Sequence, residues 1–419
     1  AEHCATCHAV SLRGSAHGAS LSGPAFTTKW AHQPAQALLT YQMSEMPPGQ
    51  ADTLSPAQHA EILQHVIAQS RLPADSLMRT SVADLSAAEA PDAVAFSGAG
   101  SVMDLARNAG EYAAKTVANF RPVSTAELNQ PDNGDWLNWR RTLDGHGHSP
   151  LTAINTSTVS RLGLKWSMAM HTGSNQPTPL VRDGVMFLTH SNNKIQAIEA
   201  DSGELIWEYQ YAFPPASKML GGPTRNIALW GDKLFLATYD AALVAVDAVT
   251  GQQIWRTQKA DYREAFTHSA GPIVANGVVV SGINGCELFT EDGCFITGHD
   301  PDTGVELWRT STLALPGTPE YATWGNVAPD RRGGGDIWIT GSYDPALDLI
   351  YFGTSQPKPW AAPSRGMSVE DAALYTNSTL ALKPKTGELM WYFQHIPGET
   401  IDMEVGFERI VADIDGVPT

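Results

Sequence analysis

The stretch VAVDAVTGQQIW, residues 244–255, decides the fold because its pattern recurs three more times along the chain. Each copy predicts a strand, a turn that carries Asp or Lys and closes on Thr-Gly or Ser-Gly, and a second strand that ends in Trp. The other copies are IEADSGELIW at 198–207, GHDPDTGVELW at 298–308 and LALKPKTGELMW at 380–391. A regular repeat of this kind predicts an architecture built from similar β units.

The spacing of the repeats favours a β-propeller. Successive terminal tryptophans are 48, 53 and 83 residues apart, and the long third interval holds the insertion ATWGNVAPDRRGGGDIW at 322–338. One four-stranded propeller blade with a docking tryptophan fits such a unit, whereas a β-sandwich would need four coincidental turns. Trp166 is a candidate for an earlier copy. Four or five blades fit into residues 131–419, so we expect a truncated propeller whose two ends are clipped.

Residues 1–72 predict a small all-α domain. PAQALLTYQMSEM at 34–46 and SPAQHAEILQHVIAQS at 55–70 place apolar residues at helical spacing. Ser55 is a favourable N-cap, and the proline after it suits the first helical position. Residues 73–130 are rich in alanine and weakly patterned, which indicates a linker.

A C-x-x-C-H motif near the start of the chain predicts a covalently bound haem c. Cys4 and Cys7 would form the thioethers, and His8 would supply one axial nitrogen to the iron. The second axial ligand is predicted to be Met46, since the segment around it is similar to the distal end of class I cytochrome c domains. Met43 is the competing candidate, although helix packing explains it better.

Composition and cysteine use restrict the partners and the compartment. Acidic residues outnumber basic ones by 44 to 27, and the net charge of −17 argues against binding to nucleic acid or to an anionic membrane. No apolar run approaches the roughly 20 residues of a membrane span. Cys286 and Cys294 are predicted to form a disulfide, and haem c is attached outside the cytoplasm. Both features indicate the bacterial periplasm.

Four segments resemble the pyrroloquinoline quinone (PQQ)-dependent alcohol dehydrogenases. They are GGPTRNIALWGDKLFLATYDAALVAVDAVTGQQIW at 221–255, GPIVANGVVVSGINGCE at 271–287, GGGDIWITGSYDPALDLIYFGTSQPKPW at 333–360 and TGELMWYFQHIPGETIDMEVGFE at 386–408. The resemblance implies an eight-bladed propeller in the complete protein, about half of it covered here. A haem domain in front of the propeller resembles the arrangement in polyvinyl alcohol dehydrogenases.

The resemblance also implies a set of PQQ-binding residues. PQQ is a planar tricarboxylated quinone and needs a cation, polar donors and an aromatic lid. Arg225 matches the arginine that pairs with PQQ, Ser269 and Asn284 match polar contacts, and Trp338 matches the stacking lid. The family's ring of adjacent cysteines is replaced here by the apolar pair at 219–220.

The metal site follows from the same resemblance. The implied ligands are Glu287, Gln356 and Asp402, and Asp402 also matches the general base that takes the alcohol proton. Gln356 departs from the family, which has Asn at this position. Glu404 falls where lanthanide-dependent relatives have an additional Asp. These oxygen ligands predict Ca²⁺, with a lanthanide as the alternative.

The predicted protein is therefore a periplasmic quinohaemoprotein dehydrogenase. It would oxidise an alcohol, with secondary and polymeric alcohols among the candidates, and pass electrons through haem c to a cytochrome c or copper protein. The alternative is a non-catalytic propeller scaffold fused to an electron-transfer cytochrome. Such a scaffold would not need the set formed by Arg225, Trp338 and Asp402.

Overall fold

The structure is a computed structural model. It describes residues 12, 21–22, 24–45, 54–70, 72, 76, 115–214, 222–286 and 293–419. The chain divides into two compact units, residues 1–112 and residues 113–419.

The described part of the first unit consists of helices around a small apolar core. They are α1 (Pro24–Trp30), α2 (Ala35–Glu45) and α3 (Pro56–Gln69). The predicted start of α3 is confirmed: Ser55 Oγ accepts the N–H of Gln58, whose side chain accepts the N–H of Ser55 in return. Met43 packs against this core, as expected for a helix-packing residue. The identity of the unit as a cytochrome stays a prediction.

The second unit is built from antiparallel sheets. In its described residues, helix α4 (Thr125–Asn129) precedes four four-stranded sheets, here called blades 1 to 4. Blade 1 contains β1 (Leu180–Arg182), β2 (Val185–His190), β3 (Lys194–Glu199) and β4 (Leu205–Gln210). Blade 2 contains β5 (Ala228–Trp230), β6 (Lys233–Ala237), β7 (Ala242–Asp247) and β8 (Gln253–Gln258). Blade 3 contains β9 (Ile273–Ala275), β10 (Val278–Ser281), β11 (Phe295–His299) and β12 (Glu306–Ser311).

Blade 4 is interrupted by a small additional sheet. In chain order, the remaining strands are β13 (Gly333–Gly334), β14 (Ser342–Asp344), β15 (Leu349–Gly353), β16 (Pro357–Lys358), β17 (Ser378–Leu382), β18 (Leu389–Gln394), β19 (Asp413–Ile414) and β20 (Val417–Pro418). Blade 4 is β14-β15-β17-β18, while β13 pairs with β16 and β19 with β20. Short 3₁₀ turns lie at Val159–Arg161, Ser191–Asn193, Tyr262–Glu264, Pro319–Trp324, Pro329–Arg331 and Ala362–Arg365. The propeller-type fold is confirmed, and the number of eight blades stays a prediction.

Tryptophans at the repeat positions join each blade to the next one. The indole N–H of Trp207 donates to Ala248 O at 3.2 Å, in the turn of the following blade. Trp255 and Trp308 make the same bond to the next turn, at 3.1 Å and 2.8 Å. Trp166 donates in this way to the turn of blade 1 at 3.0 Å, so it is the earlier copy of the repeat. The indoles thus link successive turns through their hydrogen bonds and ring packing.

The glycine of each turn is the surface on which the preceding tryptophan packs. A Cβ atom on Gly251 would lie 2.7 Å from the ring of Trp207, and Gly203, Gly304 and Gly387 have equivalent contacts. These glycines also have positive φ, which is +73° at Gly251. The repeat therefore needs Gly in the turn that follows each docking Trp for two reasons, conformation and space.

Gly251→Ala is expected to destabilise the propeller more than Gly231→Ala. Both residues have positive φ, so the backbone cost of a Cβ is about 1–2 kcal/mol in each. At Gly231 the Cβ would meet nothing within 4 Å in the described chain, whereas at Gly251 it overlaps Trp207. The overlap should add about 1–3 kcal/mol, measured by urea unfolding. Equal losses for the two variants would contradict the docking role of Trp207.

Residues 115–130, which the sequence analysis placed in the linker, pair with the blades. Lys115 N–H donates to Ile206 O at 3.0 Å, and Val123 exchanges backbone hydrogen bonds with Gly231. Backbone hydrogen bonds of this kind depend little on the type of side chain, so the weakly patterned sequence did not predict them.

None of the helices in the described residues combines the length and the apolar character that crossing a bilayer requires.

Candidate active site

The candidate residues described by the structure lie on loops at one end of the blades. In an antiparallel four-stranded sheet, the loop between the second and third strands emerges at the same end as the loops that enter the first strand and leave the fourth. Loops of these three kinds carry Arg225, Ser269, Asn284, Trp338, Gln356, Asp402 and Glu404. Residues up to 179 positions apart in the sequence, from Arg225 to Glu404, are thereby brought to one end of the sheets.

Arg225, Ser269 and Asn284 form one side of the site. The N–H of Ser269 donates to Asn284 Oδ1 at 3.0 Å. The main-chain N–H and the Nη1 of Arg225 both donate to Ser269 O, each at 3.3 Å. Thr267 and Asn284 exchange backbone hydrogen bonds of 2.8 Å and 3.0 Å. Two loops of blade 3 are thus held together beside the guanidinium group.

Arg225 also reaches Trp338. Its Nη1 donates to Trp338 O at 3.2 Å, and its guanidinium group lies 5.0 Å from the centre of the Trp338 ring. Phe407 approaches the same ring edge-on at 5.3 Å. Burial lowers the pKa of Arg225, and the carboxylate of Glu404 opposes that shift. A cation and a broad aromatic face are therefore available at the same place.

Gln356, Asp402 and Glu404 form the other side of the site. Gln356 is buried, and its Nε2 donates to Asp402 Oδ1. Gln356 Oε1 is buried without a hydrogen-bond partner among the described residues. The pKa of Glu404 is raised, chiefly by burial. The charge of Lys358 and a hydrogen bond from Gln356 oppose this shift, whereas the carboxylates of Asp336 and Asp402 add to it. Negative charge and oxygen ligands are thus concentrated here.

Asp336 and Lys358 belong to this site and were missed by sequence reasoning. Asp336 Oδ1 accepts the N–H groups of Gly285 at 2.8 Å and Cys286 at 3.2 Å, so it holds the loop that leads to position 287. Lys358 is buried next to the cluster of carboxylates. The available signals were the Asp in GGGDIW and the Lys in QPKPW, both charged residues in otherwise buried segments.

The predicted Cys286–Cys294 disulfide is present in the structure, with Cα atoms 5.5 Å apart. Asp336 lies against this pair. Both sulfur atoms are consumed by the bond, so the cysteines are not thiolate ligands for a metal. The disulfide instead closes the loop that contains Glu287.

Thiol counting in denaturant without reductant should find neither Cys286 nor Cys294 free. Replacing both by Ser is expected to cost about 2–3 kcal/mol of stability, because the closed loop is short. The loss would be measured by urea unfolding of the oxidised protein and the double variant. Two free thiols in the untreated protein would contradict the assignment.

Several predicted residues lie outside the described part of the chain. They are the haem residues Cys4, Cys7, His8 and Met46, the metal ligand Glu287, and the apolar pair at 219–220. Their roles stay predictions.

The described residues fit the groups that the sequence analysis expected. The unpartnered Gln356 Oε1 lies beside the carboxylates of Asp402 and Glu404, and an oxygen-only set of this kind suits a hard cation such as Ca²⁺. Trp338 and Arg225 offer a ring face and a positive charge, which suit a planar carboxylated quinone. Trp338 Nε1 is a further buried polar atom without a hydrogen-bond partner among the described residues.

Comparisons with known proteins agree with this chemistry. A profile of the PQQ family, described as glucose/ethanol/alcohol dehydrogenase, β-propeller domain, matches residues 136–417. The chain is 35% identical over 306 residues to the quinohemoprotein alcohol dehydrogenase ADH IIB of Pseudomonas putida, covering 68% of this chain and 43% of that protein.

Solved structures give the same result. The quinohemoprotein alcohol dehydrogenase ADHIIG of Pseudomonas putida HK5 is 32% identical with a TM-score of 0.64, covering 71% of this chain and 46% of that one. A europium-containing methanol dehydrogenase is 27% identical with a TM-score of 0.60, covering 70% and 55%. The chain spans less than half the length of the curated relative described above, 43%.

Proposed function

Because the chain belongs to the PQQ-dependent glucose/ethanol/alcohol dehydrogenase β-propeller family, we propose that it oxidises an alcohol and transfers the electrons to a haem c. The observation that supports this proposal is the continuous set of contacts from Asn284 through Ser269 and Arg225 to Trp338. The acidic residues around Asp402 interact with this set electrostatically, because the carboxylate of Glu404 acts on Arg225 and the carboxylate of Asp402 acts on Glu404.

The residues around Arg225 have a binding role. When bound, PQQ would supply a quinone carbonyl as the acceptor of a hydride from the alcohol. Arg225 offers a positive charge to the carboxylates of the cofactor, and Trp338 offers its ring face. Ser269 and Asn284 supply polar contacts next to them. This wall of the site orients the cofactor and excludes water from one side of it.

Asp402 has the catalytic role in this proposal. Its side chain is exposed, which lets an alcohol approach, and its Oδ1 is oriented by the Nε2–H of Gln356. The carboxylate accepts the hydroxyl proton of the alcohol as the general base. Glu287, Gln356, Asp402 and Glu404 would hold the Ca²⁺, which would supply Lewis-acid polarisation of the reacting carbonyl.

The remaining parts of the proposal concern the electron path and the substrate. Cys4, Cys7, His8 and Met46 would hold a haem c, which would accept the electrons and supply them to a periplasmic cytochrome c or copper protein. The domain order resembles that of polyvinyl alcohol dehydrogenases, which makes a secondary or polymeric alcohol a candidate substrate.

Reconstitution of metal-free protein with PQQ and either Ca²⁺ or La³⁺ tests this function and identifies the ion. We expect Ca²⁺ to restore dye-linked alcohol oxidation, because the ligands are hard oxygen atoms and Ca²⁺ is the more available ion outside the cytoplasm. Activity restored only by La³⁺, and abolished again in Glu404→Ala, would overturn the choice of Ca²⁺. No alcohol oxidation with either ion, despite bound PQQ, would contradict the proposed function.

A further inference from the structure

Lys259 is a buried lysine that the active-site assignment does not use. It directly follows β8 and is only 4% exposed. Its Nζ donates to Gly282 O at 2.9 Å and to Ser281 O at 3.0 Å, and lies 3.2 Å from both Ser281 Oγ and His268 Nε2. A lysine buried at this depth is costly unless its donors are satisfied, and here they are.

The direction of the bond to His268 follows from the partners of the ring. His268 Nδ1 lies 2.9 Å from Thr238 O, an acceptor, so Nδ1 carries the hydrogen and Nε2 accepts from Lys259. Burial lowers the pKa of His268 well below its usual range, which keeps the ring neutral, and burial likewise lowers the pKa of Lys259 well below its usual range. Two carbonyl oxygens and one ring nitrogen thus surround the side-chain nitrogen of Lys259 as acceptors.

The partners of Lys259 lie on the two loops of blade 3 that enter the active site. His268 directly precedes Ser269, and Gly282 is two residues before Asn284. Ser269 N–H in turn donates to Asn284 Oδ1. One buried amino group therefore contacts both loops and ties them together.

The propeller repeat does not require a lysine at this position. Lys259 is the fourth residue after its docking tryptophan, and the equivalent residues of the other blades are Tyr211, Thr312 and His395. Of these, Thr312 donates to Cys294 O within its own blade, and Tyr211 donates to Asp240. The lysine in blade 2 is therefore explained by what it contacts and not by the repeat.

We propose that Lys259 is a positioning residue whose side-chain amino group holds the loops of Ser269 and Asn284 in the arrangement that binds PQQ. This inference rests on the proposed function, because it takes PQQ as the ligand of those loops. Lys259 is buried and acts through His268, Ser281 and Gly282.

The test is equilibrium dialysis of PQQ against the metal-loaded full chain and its Lys259→Met variant. Methionine retains the length of the side chain but leaves the three acceptors without a donor, so PQQ should bind about tenfold more weakly or worse. Arg182→Met is the matched control. Arg182 is a buried cation in blade 1, paired with Asp135 at 2.8 Å and Glu127 at 2.6 Å. Its loss should lower the melting temperature without weakening PQQ binding per folded molecule.

The outcomes separate the two proposals. Folded Lys259→Met with wild-type PQQ affinity would overturn the positioning role and leave the proposed function intact. Failure of the wild-type chain to bind PQQ would overturn the proposed function, and the role of Lys259 with it. If Lys259→Met does not fold, His268→Leu replaces it. That change cuts the link from Lys259 to the Ser269 loop together with the bond from His268 to Thr238 O, and it retains the bonds from Lys259 to Ser281 and Gly282. Unchanged PQQ affinity in folded His268→Leu would then overturn the proposal.

Discussion

Asp402→Asn is expected to lower the rate of alcohol oxidation by about 10²–10⁴-fold, the usual contribution of a general base. Asparagine retains an oxygen that accepts the Nε2–H of Gln356, so the local geometry should survive. An amide cannot accept the hydroxyl proton, so the chemical step is lost. The measurement is the dye-linked rate at saturating alcohol, with the PQQ and metal content of each preparation determined in parallel.

Asp415→Asn is the matched control for this change. Asp402 and Asp415 are both exposed aspartates with positive φ, +63° and +54° respectively. Asp415 lies in the turn between β19 and β20, so its replacement should leave the rate unchanged. If Asp402→Asn retained most of its rate with cofactor and metal loaded, Asp402 would not be the base.

The double variant Cys4→Ala/Cys7→Ala is expected to lose all covalently bound haem and to retain most of its dye-linked alcohol oxidation. The thioethers need both thiols, whereas the candidate active site lies entirely within residues 113–419, a separate compact unit. Haem staining of the denatured protein measures the first effect. A dye that accepts electrons from the quinone directly measures the second.

Cys286→Ser/Cys294→Ser provides the reciprocal control, because it also removes two cysteines. This variant should keep its covalent haem, since its sulfur atoms are joined to each other. Complete loss of dye-linked activity in a folded Cys4→Ala/Cys7→Ala protein would contradict the separation of the two functions. Retention of covalent haem in that protein would contradict the attachment site.

The propeller-type fold was predictable because one constraint is repeated in the sequence. Each docking indole needs a glycine in the next turn, so pairs such as Trp207 and Gly251 recur along the sequence as a recognisable pattern. The start of α3 was predictable for a similar reason, since Ser55 and Gln58 satisfy each other within one helical turn. Local geometry that depends on near neighbours can be read directly from sequence.

Contacts between loops of different blades were not predictable in the same way. Asp336 binds the N–H groups of Gly285 and Cys286, which are 51 and 50 residues earlier in the chain. Lys259 donates a hydrogen bond to Gly282 O, which belongs to the next blade and lies 23 residues later in the chain. No spacing rule connects such residues, because the lengths of the loops between strands are free to vary. The family resemblance assigned candidate residues for binding the cofactor, but not Asp336 and Lys259, which contact their loops.

The most direct test of the account is the absorption spectrum of the purified protein during anaerobic addition of alcohol. With PQQ and Ca²⁺ bound, the account predicts that alcohol converts the oxidised haem spectrum to the reduced one without any added mediator. The reduction should disappear when PQQ is omitted and in Asp402→Asn. A haem that stays oxidised while the same sample reduces an added dye would contradict the transfer of electrons from the propeller to the haem.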